Sequence, residues 1–206
     1  MPISTFPVFF AAAPVITVRD PMAAFLGAAT DGVIEYRYED AVRLAGHSCP
    51  TVACAFLMTR TALHSLYEGS LPERGAIRVA LHEPRDAGVA GVIASIATLI
   101  TGATEDSGFR GLAGQFSRRN LLAFDQPLAH GSMFFSRLDS GRSVEVSADL
   151  SSVDLDSRMG PLMALALDGK ATEEQQSLFR ELWQDRVRRI LLNHADDPEV
   201  IKLTSD

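Results

Sequence analysis

The run Gly46-His47-Ser48-Cys49-Pro50-Thr51 constrains this chain more than any other, because it opens a helix and sets the most reactive side chains at its mouth. Pro50 disfavours the helical region for the residue before it, so Cys49 is expected to be extended. Along an extended stretch, residues two apart project to the same side, which would turn His47 and Cys49 into one volume. Pro50 also suits the first helical position and makes Cys49 the N-cap. There the positive pole of the helix and its free N–H groups favour thiolate over thiol. Beyond Pro50, apolar side chains run nearly all round (Val52, Ala53, Phe56, Leu57, Leu63, Leu66), so a helix over 50–67 must be central and buried. Two chemistries stay open. A thiolate beside an imidazole is half of a zinc or other soft-metal site, or a nucleophile with its base.

The rest of the chain supplies a scaffold of both element types. Asp20-Pro21 reads as the N-cap and first residue of a short helix reaching about residue 28. Residues 33–38 alternate as a strand, and 40–44 make about one helical turn before the motif. A strand over 75–81 is followed by a small, aliphatic helix over 88–100. Strands are expected at 120–124, 132–138 and 143–148, the last two joined by the turn Asp139-Ser140-Gly141-Arg142. Residues 159–167 form a short apolar helix. Thr172-Glu173-Glu174-Gln175 is a capping box for an amphipathic helix with Leu178, Phe179, Leu182, Trp183, Val187, Ile190 and Leu191 on one stripe. This order predicts an α+β fold, a mixed sheet with buried helices on one face. The divisions expected are an N-terminal arm and short helix (1–30), an α+β domain (31–150) and a C-terminal helical extension packed on it (151–206).

Composition excludes several function classes. A formal charge of −7 and 206 residues argue against general nucleic-acid binding. No stretch approaches the roughly 20 apolar residues of a membrane span. The apolar run from Phe6 to Val18 has no basic start and is interrupted by Pro7 and Pro14, unlike a signal peptide. The expectation is a soluble, cytoplasmic protein whose first 18 residues pack on its own body or on a second copy of the chain. Cys49 and Cys54 are the whole cysteine complement. With one at the cap and the other inside the helix their side chains diverge, and both are expected free.

Gly46-His47-x-Cys49-Pro50 opening a long apolar helix resembles the signature of the formylmethanofuran dehydrogenase E-subunit-like (FmdE-like) family. Thr101-Gly102-Ala103-Thr104 stands where that family has Thr-Gly-Cys-Thr, and Arg119-Asn120-Leu121 where it has a Gly-Asn-Leu entry to a strand. The likeness covers roughly residues 30–195. It implies the same α+β layout and a metal at the motif, zinc or another divalent transition metal. Here Thr51 replaces a glycine and Ala103 a cysteine, and the Cys pairs of a zinc-ribbon tail are absent. No pterin, molybdenum or iron–sulfur motif accompanies the likeness.

A catalytic zinc wants three protein ligands, so His47 and Cys49 need help. His82, at a strand end with Glu83 and Asp86 nearby, is the best third candidate, or else a surface histidine. His130 is a weaker one. His64 and His194 read as structural or solvent-facing, and Cys54 as core. Arg118 and Arg119 either receive an anionic substrate or are solvated loop charges. The Gly-rich stretch 102–117 matches no phosphate-binding pattern and reads as a mobile cover or a connection. Three functions follow. The first is a metal-binding protein holding zinc through His47 and Cys49, with help from His82 or Asp86. The second is a metal-free thiol enzyme with Cys49 as nucleophile and His47 as base. The third is a homodimeric accessory module, for which Trp183 and the apolar arm offer surface. A small-molecule substrate fits either of the first two and is not identified by the sequence.

Overall fold

In the computed structural model, which describes residues 6–205, a five-stranded mixed sheet is covered on one face by helices. The chain runs β1 (Ile16–Arg19), α1 (Pro21–Phe25), β2 (Val33–Tyr36), α2 (Tyr38–Ala45), α3 (Pro50–Tyr67), β3 (Ile77–Leu81) and α4 (Ala90–Thr101). It continues through β4 (Leu122–Ala123), β5 (Met133–Arg137), β6 (Ser143–Ala148), α5 (Met159–Leu167), α6 (Glu173–Asn193) and β7 (Ile201–Ser205). The fold is α+β, as the order of sequence patterns indicates.

The sheet order is β4-β3-β5-β6-β7, with β4 parallel to β3 and the other neighbours antiparallel. Side-chain alternation assigns its two faces. Ile77, Val79, Leu81, Met133, Phe135, Val144 and Val146 are buried beneath the helices. Arg78, Ala80, Phe134 and Glu145 alternate with them on the opposite face, which no helix among the described residues covers. α3 is the axis of the core: Val52, Ala55, Phe56, Leu57, Met58, Leu63 and Leu66 are all buried. It packs on α2, α4, α6 and the strands β5, β6 and β7. Its start at Pro50 is as expected, and it closes with Glu68 rather than Gly69 in the left-handed region, at φ 45°.

β1 and β2 form a separate antiparallel hairpin, with Ile16 opposite Tyr36 and Arg19 opposite Val33. The N-terminal arm packs on its own chain: Phe10, Ala13, Ile16 and Val18 are buried, and the Phe10 and Tyr38 rings meet edge-on at 4.9 Å. Residues 1–5 of that arm lie outside the described residues. Asp20 caps α1 as expected, accepting from the N–H groups of Met22 and Ala23 at 2.9 and 3.2 Å.

The same carboxylate has a second role. Arg118 Nη2 and Arg74 Nη1 both donate to Asp20, at 2.8 and 2.9 Å, and Arg74 Nη2 donates to the Leu99 carbonyl. Gly75 lies flat against this cluster at φ +90°, where an added Cβ would fall 1.4 Å from Arg118 Nη1. Arg118 is therefore neither a substrate receiver nor a solvated charge. It anchors the far end of the Gly-rich stretch, which is closed at its neck: Thr104 N donates to Arg118 O and Leu121 N to Thr104 O. The Phe116 ring rests 5.6 Å from that of Phe25.

Two strands escaped the sequence patterns. β1 sits in an apolar arm where alternation is hidden, and β7 is a short edge strand after the last helix. α2 starts at Tyr38, earlier than expected, because the Asp40 carboxylate reaches back to the Arg37 N–H at 2.9 Å. β4 keeps only two residues, since Asn120 and Asp125 on either side adopt φ of 57° and 56°. α6 begins at the expected capping box, with Gln175 N donating to Thr172 Oγ1 and Thr172 N to Gln175 Oε1. Among the described residues no helix is long and apolar enough to cross a membrane.

Candidate functional site

The motif is the hinge between α2 and α3. Gly46 ends α2 in the left-handed region at φ 75°, which turns the chain toward α3 with no side-chain strain. Cys49 is extended, φ −151° and ψ 167°, and its Sγ accepts from the Val52 N–H at 3.5 Å. It is thus the N-cap, with Pro50 at the first helical position. The sulfur is buried, the residue retaining 9% of its surface, whereas His47 stands exposed. The two candidate donors therefore differ in burial, the imidazole exposed and the thiol covered.

His47 Nδ1 lies 2.9 Å from the Ala45 carbonyl oxygen. A carbonyl can only accept, so Nδ1 carries the hydrogen of this contact, and Nε2 is the ring nitrogen that the neutral tautomer would offer to a metal. Metal-ligating histidines commonly fix their tautomer in this way. The donor types, imidazole nitrogen and thiolate sulfur, suit zinc or another borderline-soft ion. The number is short. Among the described residues no three His, Cys, Asp or Glu side chains gather into a group that could hold a metal ion. The motif offers two candidate donors.

His82 lies exposed just beyond β3, with Nδ1 3.2 Å from the Gln126 carbonyl oxygen. The structure does not gather it with His47 and Cys49 into a three-donor cluster. His130 is exposed, and its backbone N–H donates to Glu145. His194 caps α6 and pairs with Asp197 at 2.8 Å, and His64 sits exposed on α3. Cys54 is core, as expected. Burial pushes its thiol up to about 12, against the opposing pull of the Arg186 guanidinium. Both cysteines are free.

A network that sequence reasoning missed holds the motif against the body. Ser48, between the two candidate donors, accepts from the Tyr38 hydroxyl at 3.0 Å and donates to Gln184 Oε1 at 3.1 Å. Its carbonyl accepts from Trp183 Nε1 at 2.9 Å and from Gln184 Nε2 at 3.3 Å. Tyr38 is fully buried, and burial raises its hydroxyl well above the usual tyrosine range. It therefore serves as a neutral hydrogen-bonding post. Trp183 appeared only as one member of an apolar stripe. Nothing in that stripe points to a partner 135 positions away, and the one usable signal is that a tryptophan at a helix surface needs somewhere to place its N–H.

No curated protein matches the chain. A solved tungsten formylmethanofuran dehydrogenase E-subunit (FmdE)-like protein from Syntrophus aciditrophicus is similar at 18% identity and a TM-score of 0.43, over 83% of this chain and 72% of that one. The family described as FmdE, Molybdenum formylmethanofuran dehydrogenase operon, matches residues 44–198. That match begins at the end of α2, takes in the motif and runs beyond α6. By this match over most of its length, the chain belongs to the FmdE family.

Proposed function

We propose that this FmdE-family chain is a metal-binding protein, with His47 and Cys49 as donors to zinc or another divalent transition metal. The observation that carries this reading is the Nδ1 contact of His47 with the Ala45 carbonyl, which reserves Nε2 as the ring nitrogen for a metal. His82 is the third donor in this reading. Its Nδ1 also rests on a backbone carbonyl, leaving Nε2 free, and it must approach the motif to take part. A bound zinc would supply a Lewis acid with at least one coordination position for water or substrate. The protein's own contribution is to hold Ser48, and through it both donors, on Tyr38, Trp183 and Gln184. The same reading takes the chain as a cytoplasmic homodimer, which sedimentation velocity tests directly.

Elemental analysis of protein purified without a histidine tag, beside a His47→Ala/Cys49→Ala variant, tests the metal. About one ion per chain, lost in the variant, is expected for a mononuclear site. Metal retained by the variant would overturn the assignment. The alternative, a metal-free thiol enzyme, draws on the N-cap position of Cys49 and the Val52 N–H at its sulfur. It requires fast alkylation of Cys49 near neutral pH in chelator-treated protein, and slow alkylation there would count against it.

A further inference from the structure

The helix-free face of the sheet carries a cavity of about 450 Å³ that shares no residue with the motif. Its floor is the half-buried Phe134 with Ala80 beside it, paired across β3 and β5. Leu122 and Leu128 form apolar walls, and Arg78 stands at one side. A cavity of this size with an apolar lining and few polar groups is the usual form of a small-molecule site.

Three features separate it from an ordinary surface dent. First, the Arg78 side chain has no hydrogen bond or ion pair among the described residues, whereas Arg74, Arg118, Arg119, Arg137 and Arg142 all have acceptors. Second, the side chain of Asn120 also lines the cavity with no partner, and Gln126 spends its amide nitrogen on backbone carbonyls while its oxygen stays free. Third, the wall is held in place. Glu145 accepts from the N–H groups of Ala129, His130 and Gly131 at 3.1, 2.5 and 2.7 Å, and His82 approaches the Gln126 carbonyl. The one carboxylate that lines the cavity is thereby engaged by three amides. The left-handed backbone at Asn120 and Asp125, uncommon for residues other than glycine, brackets β4 and fixes Asn120 and Gln126 at the cavity.

We propose that this cavity binds a small carboxylic acid with an apolar body, the carboxylate on Arg78 and the hydrocarbon on Phe134, Leu122 and Leu128. A guanidinium presents a planar fork that fits a carboxylate with two parallel hydrogen bonds, and the open amide of Asn120 can add a third. The apolar body covers the Phe134 ring, which otherwise faces outward on a sheet with no helix above it. The cavity shares no lining residue with the motif, so binding there can be tested on the chain without added metal.

The test is amide chemical-shift mapping of the full-length, isotope-labelled chain with two probes, phenylacetate and 4-methylpentanoate, up to about 10 mM, a range that reports even weak affinity. Phenylacetamide, uncharged and of similar shape, is the control. At least one acid should shift the amides of Leu122, Leu128 and Phe134, and the amide control should bind at least about tenfold more weakly. Arg78→Gln should weaken the acid by a similar factor and leave the melting temperature unchanged, since Arg78 is exposed and unpartnered. Arg78→Lys should recover part of the loss. The proposal is overturned if neither acid shifts these amides, if phenylacetamide binds as well, or if Arg78→Gln binds unchanged.

Discussion

Arg118 donates from Nη2 to Oδ1 of Asp20 over 2.8 Å, tying the far end of the Gly-rich stretch to the N-cap of the first helix. Arg74 takes the other oxygen of the same carboxylate at 2.9 Å. Two guanidinium groups thus share one buried anion, and removing that anion leaves both without their countercharge. Asp20→Asn keeps the shape and the capping oxygen but loses the charge, so it should cost about 3 kcal/mol of stability, measured by urea unfolding.

The same carboxylate sets an acid limit. Burial works to raise its pKa, but the Arg74 bond, the Ala23 N–H and the nearby Arg118 charge prevail and hold it below the ordinary value of 3.8. A depressed folded-state pKa means that the contribution is complete above the unfolded value and is lost as pH falls through the lower, folded one. Wild-type stability should therefore decline below about pH 4, and Asp20→Asn should show a shallower decline over that range. Equal slopes in the two proteins would refute the assignment.

Cys54 imposes the opposite limit. Its thiol, at about 12 rather than the ordinary 9.0, must stay protonated in the folded chain. Stability from this source is intact below pH 9.0 and falls as pH rises toward about 12. Urea midpoints measured between these values should drop less in Cys54→Ala than in wild type. Iodoacetamide at neutral pH should leave Cys54 unmodified in the native protein, as peptide mass analysis would show.

Trp183→Phe keeps an aromatic ring beside Phe179, 5.6 Å away, while deleting the N–H that reaches the Ser48 carbonyl. The expected loss is about 1 kcal/mol, because Gln184 still donates to that oxygen. A larger effect should appear locally, as faster hydrogen exchange of the amides from residue 46 to 52.

Glu145→Gln replaces two acceptor oxygens by one and turns an NH2 toward three N–H donors. The turn at 129–131 should loosen at a cost of about 1–2 kcal/mol, and phenylacetate binding should weaken with it. A variant with unchanged urea stability would show that these bonds are replaced by water without loss.

The frame was legible where local chemistry and periodicity agree. Pro50 after an extended cysteine, the Thr172–Gln175 box and the 143–148 strand all took the form their residues dictate. What stayed hidden depends on distance along the chain. Arg118 looks like any loop arginine until Asp20, 98 positions earlier, is brought beside it. Ser48 looks like a spacer between two reactive residues, yet it is the point by which α6 holds them. Pro50 correctly gave the extended backbone at Cys49, and the helix cap engages its sulfur through the Val52 N–H.

Trp183 is the single tryptophan of the chain, and its indole nitrogen ends on the residue between the two candidate donors. The intrinsic fluorescence of this protein is consequently a built-in optical gauge of the motif. Any ion, alkylating agent or second copy of the chain that displaces the Ser48 carbonyl will register in its emission, with no dye and no label added.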